Sequence, residues 1–285
     1  MSASLADSSN MEQFKTSDGS SICFQLHPGR GPGAPRVALI HPLGLDGSVW
    51  QGVVDELGGR ATLLTYDCRG HGGSRKYPGP YTAELFARDL KELFDHVGWT
   101  TAVVVGCSMG GVVAQAFAAS YPNRLRALGL IDTTAWYGSD APRTWRERAS
   151  NALDNGLKGM MTFQATRWFS DKFRAEHEDR VDVVKAIFLA NDLHSYSATC
   201  EMLGNMDMRP TLGSIDVPVA IVVGDEDYAT PVSMSQELHE RIRGSTLAVL
   251  RGSRHLTPVE SPREIAKQLS LLLGRVGVEA AAGVN

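Results

Sequence analysis

The chain alternates short apolar runs with longer amphipathic stretches along most of its length. The apolar runs are RVALIHP, ATLLTYD, TAVVVGC, LRALGLID, VPVAIVVGD and STLAVLRG. Runs of this length and composition are typical of parallel strands that are buried on both faces. The stretches at 81–97, 110–121, 231–242 and 262–273 have the apolar spacing of helices. The pattern therefore predicts an α/β fold with a mostly parallel, doubly wound sheet, and SSICFQLHPG predicts an antiparallel edge strand.

The alternation stops between residues 139 and 211, where the sequence is charged, helix-like and rich in Trp, Phe and Met. This segment lies between two predicted strands. We therefore predict a helical cap, 139–211, inserted into a core formed by residues 13–138 and 212–275. Such a cap covers the carboxyl ends of the strands, where open sheets bind ligands. The small and polar residues at 1–12 and 276–285 predict flexible tails.

Length and composition exclude several classes of protein. The 285 residues are 43% hydrophobic, which is enough for a large core, and a net charge of -4 without a basic run argues against a nucleic-acid partner. No apolar stretch is long enough to span a bilayer, and the N-terminal residues lack the features of a signal peptide. Four scattered cysteines predict free thiols. We expect a cytoplasmic monomer or homodimer that acts on a small molecule without a metal, a cofactor or a membrane.

A single serine stands among glycines at the end of one apolar run. In GCSMG, Ser108 directly follows a predicted strand and directly precedes a predicted helix. A strand-to-helix turn this sharp requires nearly bare flanking residues, and it projects the serine hydroxyl from the top of the sheet. The free N–H groups of the following helix also favour an anion at this position. The context predicts that Ser108 is a nucleophile.

A serine nucleophile needs a base, and the chain has eight histidines. His255 lies between the last predicted strand and the last predicted helix, at the same end of the sheet as Ser108. We therefore predict that His255 is the base. The carboxylate that orients its imidazole stays open among strand-end acids, which are Asp132, Asp225, Glu226 and Asp227. The chain order Ser, Asp, His is the one expected for this architecture.

An acyl-transfer reaction also needs backbone donors for its oxyanion. We predict that one donor is the N–H of Met109, the residue after the serine. The second donor is predicted in the loop HPLGLDGSVW. We assign it to Leu43, because Pro42 has no N–H and Gly44 lets the loop turn.

These motifs resemble those of the α/β-hydrolase superfamily across essentially the whole chain, and within it those of the 3-oxoadipate enol-lactonases. The matching pieces are HPLGLDGSVW, YDCRGHGGS, GPYTAELFARDL, GCSMGG, RWF, NMDMRP, GDEDYATP and RHLTPVESP. The resemblance implies a catalytic triad of Ser108, Asp227 and His255, because the family pattern G-x-x-D-x-x-T-P selects Asp227. It also implies Leu43 and Met109 as the oxyanion donors.

The resemblance further implies substrate-binding residues at the cap. The enol-lactonases carry a Trp-x-x-Arg pair at the cap entrance, and Trp145 and Arg148 match it. Two positions depart from the enol-lactonases. Trp136 and Tyr137 are bulkier than their counterparts, and His-Pro at 41–42 replaces a Ser-Asn pair. We expect both positions to border the substrate pocket.

The expected activity is the cofactor-free opening of a lactone or carboxylic ester. Two other interpretations stay open: a carbon–carbon hydrolase or cofactor-free haloperoxidase-like perhydrolase, and a ligand receptor on a retained hydrolase scaffold. Carbon–carbon hydrolases of this fold typically have a Trp directly after the histidine, and Leu256 at this position counts against them. Turnover of a simple p-nitrophenyl ester would distinguish an enzyme from a receptor.

Overall fold

Strands and helices alternate in the part of the chain that this computed structural model describes, residues 11–31 and 33–282. The strands are β1 Glu12–Lys15, β2 Ser21–His27, β3 Arg36–Ile40, β4 Thr62–Tyr66, β5 Ala102–Cys107, β6 Leu125–Ile131, β7 Val219–Gly224 and β8 Thr246–Leu250. The helices are α1 Gln51–Leu57, α2 Ala83–His96, α3 Met109–Ser120, α4 Ala141–Asn155, α5 Met161–Trp168, α6 Asp171–Glu176, α7 Glu178–Leu189, α8 Leu193–Asn205, α9 Arg209–Leu212, α10 Val232–Arg241, α11 Thr257–Glu260 and α12 Pro262–Ala282.

The eight strands form one sheet in the order β1-β2-β4-β3-β5-β6-β7-β8. The pairs β1–β2 and β2–β4 are antiparallel, and the other pairs are parallel, which confirms the predicted mostly parallel sheet. The predicted edge strand corresponds to β2. It is antiparallel, but its edge position is wrong, because β1 pairs along its outer side. Strand β1 escaped prediction because it has four residues, of which only Phe14 is buried.

The central strands are buried along their whole length. All six residues of β5 and all six of β7 are buried, as expected for strands covered by helices on both faces. Fully burying one Val or Ile side chain contributes about 1.5–3 kcal/mol, so these runs fix the strands in the middle of the layered structure. The carboxyl ends of β3, β5, β6, β7 and β8 consequently meet at one edge of the sheet, and the candidate site residues follow these ends.

Helices α4 to α9 occupy residues 141–212, between β6 and β7. Helices α7, α8 and the turn between them pack on the core, and the end of α5 bonds to the loop after β8. The Asn191 side chain donates to the Gly44 carbonyl oxygen at 2.7 Å. A Cβ atom on Gly44 would lie 2.9 Å from the ring of Phe188 and 3.3 Å from that of Tyr196. We keep the name cap for residues 139–211, and the division into cap and core stays a proposal.

The two predicted tails differ from the structure at their inner ends. Strand β1 begins at Glu12, and helix α12 continues to Ala282, so residues 276–282 are helical rather than a loose tail. The reason is that VGVEAAA contains strong helix formers, which extend the amphipathic helix before them. Residues 1–10 and 283–285 lie outside the described residues. None of the described helices combines the length and apolar character needed to cross a membrane.

Candidate active site

Ser108 occupies the turn between β5 and α3, and its backbone is strained. Its φ of 54° and ψ of -116° lie in a region that costs a non-glycine residue about 1–3 kcal/mol. Two bonds from the neighbouring strand end hold this conformation. The Ser108 N–H donates to the Ile131 carbonyl at 2.9 Å, and the Thr133 hydroxyl donates to the Ser108 carbonyl at 2.7 Å.

The glycines around Ser108 are required by the close approach of three backbone segments. A Cβ atom on Gly106 would lie 2.0 Å from the Gly110 carbonyl oxygen, and one on Gly110 would lie 2.2 Å from the Ile40 carbonyl oxygen. Neither backbone can move away without breaking the sheet or the helix. The predicted reason for bare flanking positions is thus confirmed by the geometry of the turn.

The structure brings Ser108, His255 and Asp227 into one hydrogen-bonded chain. His255 Nε2 lies 2.9 Å from Ser108 Oγ, and His255 Nδ1 lies 2.8 Å from Asp227 Oδ2. An ionised carboxylate accepts only, so Nδ1 carries the proton and Nε2 accepts from the serine hydroxyl. The three residues are 6%, 6% and 4% exposed, so water has little access to the chain. This arrangement can move a proton from the serine to the histidine.

Asp227 is held as a carboxylate by its loop. Its Oδ1 accepts from the N–H groups of Ala229 at 2.7 Å and Thr230 at 2.9 Å, and its Oδ2 accepts from the Thr230 hydroxyl at 2.8 Å. Burial raises the pKa of Asp227, but His255 and these donors lower it further than burial raises it. The resulting pKa lies below the ordinary value, so the carboxyl group is ionised beside His255.

The neighbouring acids make other contacts. Asp225 is exposed and accepts from the Gly252 N–H at 2.7 Å, which joins the loops after β7 and β8. Glu226 forms an ion pair with Arg254 at 3.3 Å. These contacts agree with the implied choice of Asp227 over both acids.

Asp132 is fully buried beneath the histidine loop rather than beside the imidazole. Its Oδ2 accepts from the Thr257 N–H at 3.0 Å and from the Thr257 hydroxyl at 2.6 Å, and its Oδ1 accepts from the Gly224 N–H at 3.2 Å. Burial and the charge of Asp227 raise the pKa of Asp132 well above its ordinary value. Asp132 therefore connects β6, β7 and the residue two positions after His255.

Leu43 and Met109, the predicted oxyanion donors, follow the ends of the neighbouring strands β3 and β5. Met109 is the first residue of α3, and Leu43 follows β3, whose end pairs with the end of β5 in register Ile40 with Gly106. Neither N–H donates to a backbone carbonyl in the loops and turns of the described residues. The placement agrees with the predicted pair of donors, whose role stays a prediction.

Three of the four predicted substrate-binding residues form a cluster with Tyr196. The rings of Tyr137 and Trp145 meet edge to face at 5.0 Å. The Arg148 guanidinium lies over the Trp145 ring at 5.3 Å, and its Nε donates to the Tyr196 hydroxyl at 2.8 Å. Sequence reasoning missed Tyr196, for which the chain carries no local signal.

The fourth residue, Trp136, has a different environment. Its ring is covered by the Arg209 guanidinium at 3.6 Å, and Arg209 is itself paired with Asp207 at 2.6 Å. In the described part of the chain, Trp136 makes no hydrogen bond or ring contact with the serine, the histidine or the tyrosine that follows it. Its predicted role in substrate binding therefore gains no support.

A second cap arginine, Arg167, was missed. Its guanidinium lies over the exposed ring of Phe163 at 5.2 Å. Burial lowers the pKa of Arg167, and the nearby charge of Arg148 lowers it further. Within residues 11–31 and 33–282, neither arginine has a carboxylate within 4.0 Å. The signal was present, because Arg167 begins the matched piece RWF. In the same described residues, no group of three His, Cys, Asp or Glu side chains clusters as a metal site.

Known proteins are similar to this chain in fold and in sequence. The alpha/beta hydrolase family matches residues 37–268. The 3-oxoadipate enol-lactonase 2 of Acinetobacter baylyi is 32% identical over 244 residues, which cover 85% of this chain and 90% of that protein. The crystal structure of the enol-lactonase from Burkholderia xenovorans LB400 has a TM-score of 0.87 at 28% identity, covering 92% of this chain and all of that one. A hydrolase from Pseudomonas aeruginosa PA01 has a TM-score of 0.88 at 29% identity, covering 94% and 100%.

The matched family covers most of the chain, and the sheet order and inserted helices agree with the predicted fold. The chain belongs to the alpha/beta hydrolase family. The resemblance to enol-lactonases that the motifs indicated is confirmed by the relatives.

Proposed function

We propose that this protein is a cofactor-independent serine hydrolase that opens a lactone or a carboxylic ester. The observation that carries the proposal is the chain of contacts Ser108–His255–Asp227, with distances of 2.9 and 2.8 Å. Each of these residues follows the carboxyl end of a different strand, and Ser108 directly precedes the N-terminus of α3, which favours an anion. The relatives named enol-lactonases support the same type of reaction.

The proposed reaction proceeds through an acyl-enzyme. Ser108 Oγ attacks the carbonyl carbon while His255 Nε2 takes the hydroxyl proton, and the N–H groups of Met109 and Leu43 bind the oxyanion. Asp227 stabilises the imidazolium that forms. His255 then donates the proton to the leaving oxygen, and in the second half it activates a water molecule that releases the acid.

The electrostatics of the pocket favour a substrate that carries a carboxylate. Arg148 is held against two aromatic rings. Burial and the nearby charge of Arg148 lower the pKa of Arg167, so the two cations repel each other. Two partly desolvated cations repel each other until an anion binds between or beside them. We therefore propose an anionic lactone, as the name of the enol-lactonase relatives also suggests.

Replacing the nucleophile tests the proposal. Ser108→Ala should lower kcat for p-nitrophenyl acetate and for an enol-lactone by about 10⁴- to 10⁶-fold, because the attacking atom is lost. Ser150→Ala, on the exposed face of α4, is the matched control and should keep the wild-type rate. The measurement is kcat of purified variants whose circular dichroism matches the wild type. Retention of more than a few per cent of activity by Ser108→Ala would disprove the mechanism.

A further inference from the structure

The residues directly before and after His255, the proposed base, both donate hydrogen bonds to the end of helix α5. Arg254 Nη1 donates to the carbonyl oxygens of Thr166 at 2.8 Å and Phe169 at 3.0 Å. The N–H of Leu256 donates to the carbonyl oxygen of Trp168 at 3.0 Å. The last carbonyls of a helix lack partners within the helix, so these three bonds satisfy groups that the cap itself leaves open.

Glu260 strengthens the same connection from the other side of the loop. One carboxylate oxygen accepts from the N–H of Ser170 at 3.1 Å and from its hydroxyl. The other oxygen accepts from the N–H of Arg254 at 2.9 Å. Ser170 is also the N-cap of helix α6, because its hydroxyl accepts from the Phe173 N–H at 3.2 Å. Glu260 therefore links the start of α6 to the histidine loop.

Arg254 also reaches the loop that carries the proposed acid. Its side chain is only 9% exposed and forms ion pairs with Asp171 at 3.0 Å and with Glu226 at 3.3 Å. Glu226 is the residue directly before Asp227. A buried guanidinium with several fixed acceptors keeps one orientation, because its planar fork loses little further freedom on binding. One side chain thus joins the acid loop, the histidine loop and the cap.

We propose that Arg254 and Glu260 form a clamp that fixes cap segment 166–171 over the active site and so positions both His255 and Arg167. Arg254 and Glu260 are positioning residues, since they act through the groups that they hold. Arg167 lies inside the clamped segment, so the clamp also fixes the backbone that carries this arginine. The inference rests on the proposed function, in which His255 is the base. Loosening the clamp should lower kcat and raise KM for an anionic substrate.

Removing the guanidinium tests the clamp. In Arg254→Met, amide hydrogen exchange of peptides covering 161–171 should be about tenfold faster or more, because the segment opens locally. The variant's kcat should fall by about 10- to 100-fold, since a displacement near 1 Å is enough for such a loss. Arg254→Lys should recover part of both, because an ammonium donates to the carbonyls without the fork. Arg251→Met removes an exposed arginine three residues earlier and should match the wild type.

A covalent label separates the clamp from the proposed function. A fluorophosphonate should modify Ser108 of the wild type, and failure to do so would overturn the proposed function whatever Arg254 does. If the wild type is labelled while Arg254→Met keeps wild-type exchange at 161–171 and wild-type kcat, the clamp is overturned. Equally faster exchange in the peptide of strand β5 would also overturn it, because the effect would then be a general loss of stability.

Discussion

Arg148 is the residue whose environment says most about the substrate. It stacks on two aromatic rings and donates to the Tyr196 hydroxyl, and no described carboxylate lies within 4.0 Å of it. A cation held in this way keeps most of its charge available for a ligand. We therefore expect this side chain to distinguish anionic from neutral substrates.

Arg148→Met should affect anionic substrates alone. Leaving a partly desolvated carboxylate without its partner costs about 2–4 kcal/mol, or roughly 30- to 1000-fold in kcat/KM, whereas a neutral ester has no such contact to lose. The measurement is the ratio of wild type to variant for an anionic lactone, divided by the same ratio for a neutral ester. Arg146→Met, exposed on the same helix, is the control. A quotient near one would show that the substrate does not pair with Arg148.

The two buried acids should respond differently to amide substitution. Asp227→Asn should lower kcat by about 10³- to 10⁴-fold, because the imidazole loses its orienting carboxylate. Asp132→Asn replaces one acceptor oxygen with an N–H₂ group, which then faces either the donors of Thr257 or the N–H of Gly224. The variant should lose about 1–3 kcal/mol of its free energy of unfolding, with a smaller loss of kcat. Urea unfolding and kcat measured on both variants check this. A larger kcat loss at Asp132 would move the orienting acid to the end of β6.

At the scale of elements, the packing of α3 against β3 limits what the turn before the helix tolerates. Gly110 lies in the first turn of α3, where the helix touches the carbonyl of Ile40. Gly274, in α12, has nothing within 4 Å of an added Cβ atom. At Gly110, helix propensity favours alanine but close packing excludes it. At Gly274, only helix propensity acts, so the two glycines form a matched pair.

Gly110→Ala should destabilise the protein although alanine is the better helix former. The added Cβ atom would lie 2.2 Å from a backbone oxygen, and the required shift costs about 3 kcal/mol. Gly274→Ala should instead stabilise by about 0.5–1 kcal/mol, because the unfolded chain loses freedom and nothing clashes. Urea unfolding of both variants gives the comparison. A stable, fully active Gly110→Ala would contradict the described packing.

At the scale of the whole molecule, buried histidines make stability depend on pH. His41 Nδ1 lies 2.7 Å from the Pro42 carbonyl oxygen, and Nε2 accepts from the Cys68 N–H at 2.9 Å, so the ring is neutral when folded. Burial lowers the pKa of His41 from 6.5 to about 4. Between these values the unfolded chain binds more protons than the folded one, so stability falls as the pH drops from 6.5 to 4.

His41→Gln should reduce this acid sensitivity. Between pH 7.5 and 4.5 the wild type should lose about 2–3 kcal/mol more of its free energy of unfolding than the variant, since glutamine accepts from the Cys68 N–H without titrating. Asp67, whose pKa burial raises to about 6, gives a slope of opposite sign, but it is present in both proteins and cancels. The measurement is urea unfolding at the two pH values. Parallel losses in both proteins would refute the assignment.

The sequence alone determined the elements with strong local patterns. Strands β3 to β8 are continuous apolar runs. The glycines on both sides of Ser108 are typical of a sharp strand-to-helix turn. His255 was identified because the chain order of strands fixes which loops share one edge of a parallel sheet. These conclusions depend on neighbours in sequence, which is why pattern and motif were enough to reach them.

Only the tertiary structure decided which distant groups meet. The motif implied that Asp227 orients the imidazole. Physically, Asp227 is distinguished from Asp132 because its carboxylate reaches His255, whereas that of Asp132 binds Thr257. The contact of Tyr196 with Arg148 spans 48 residues, and that of Arg254 with Thr166 spans 88. Such pairs leave no periodic trace in the sequence, because the packing of the inserted helices on the sheet, rather than any local preference, brings them together.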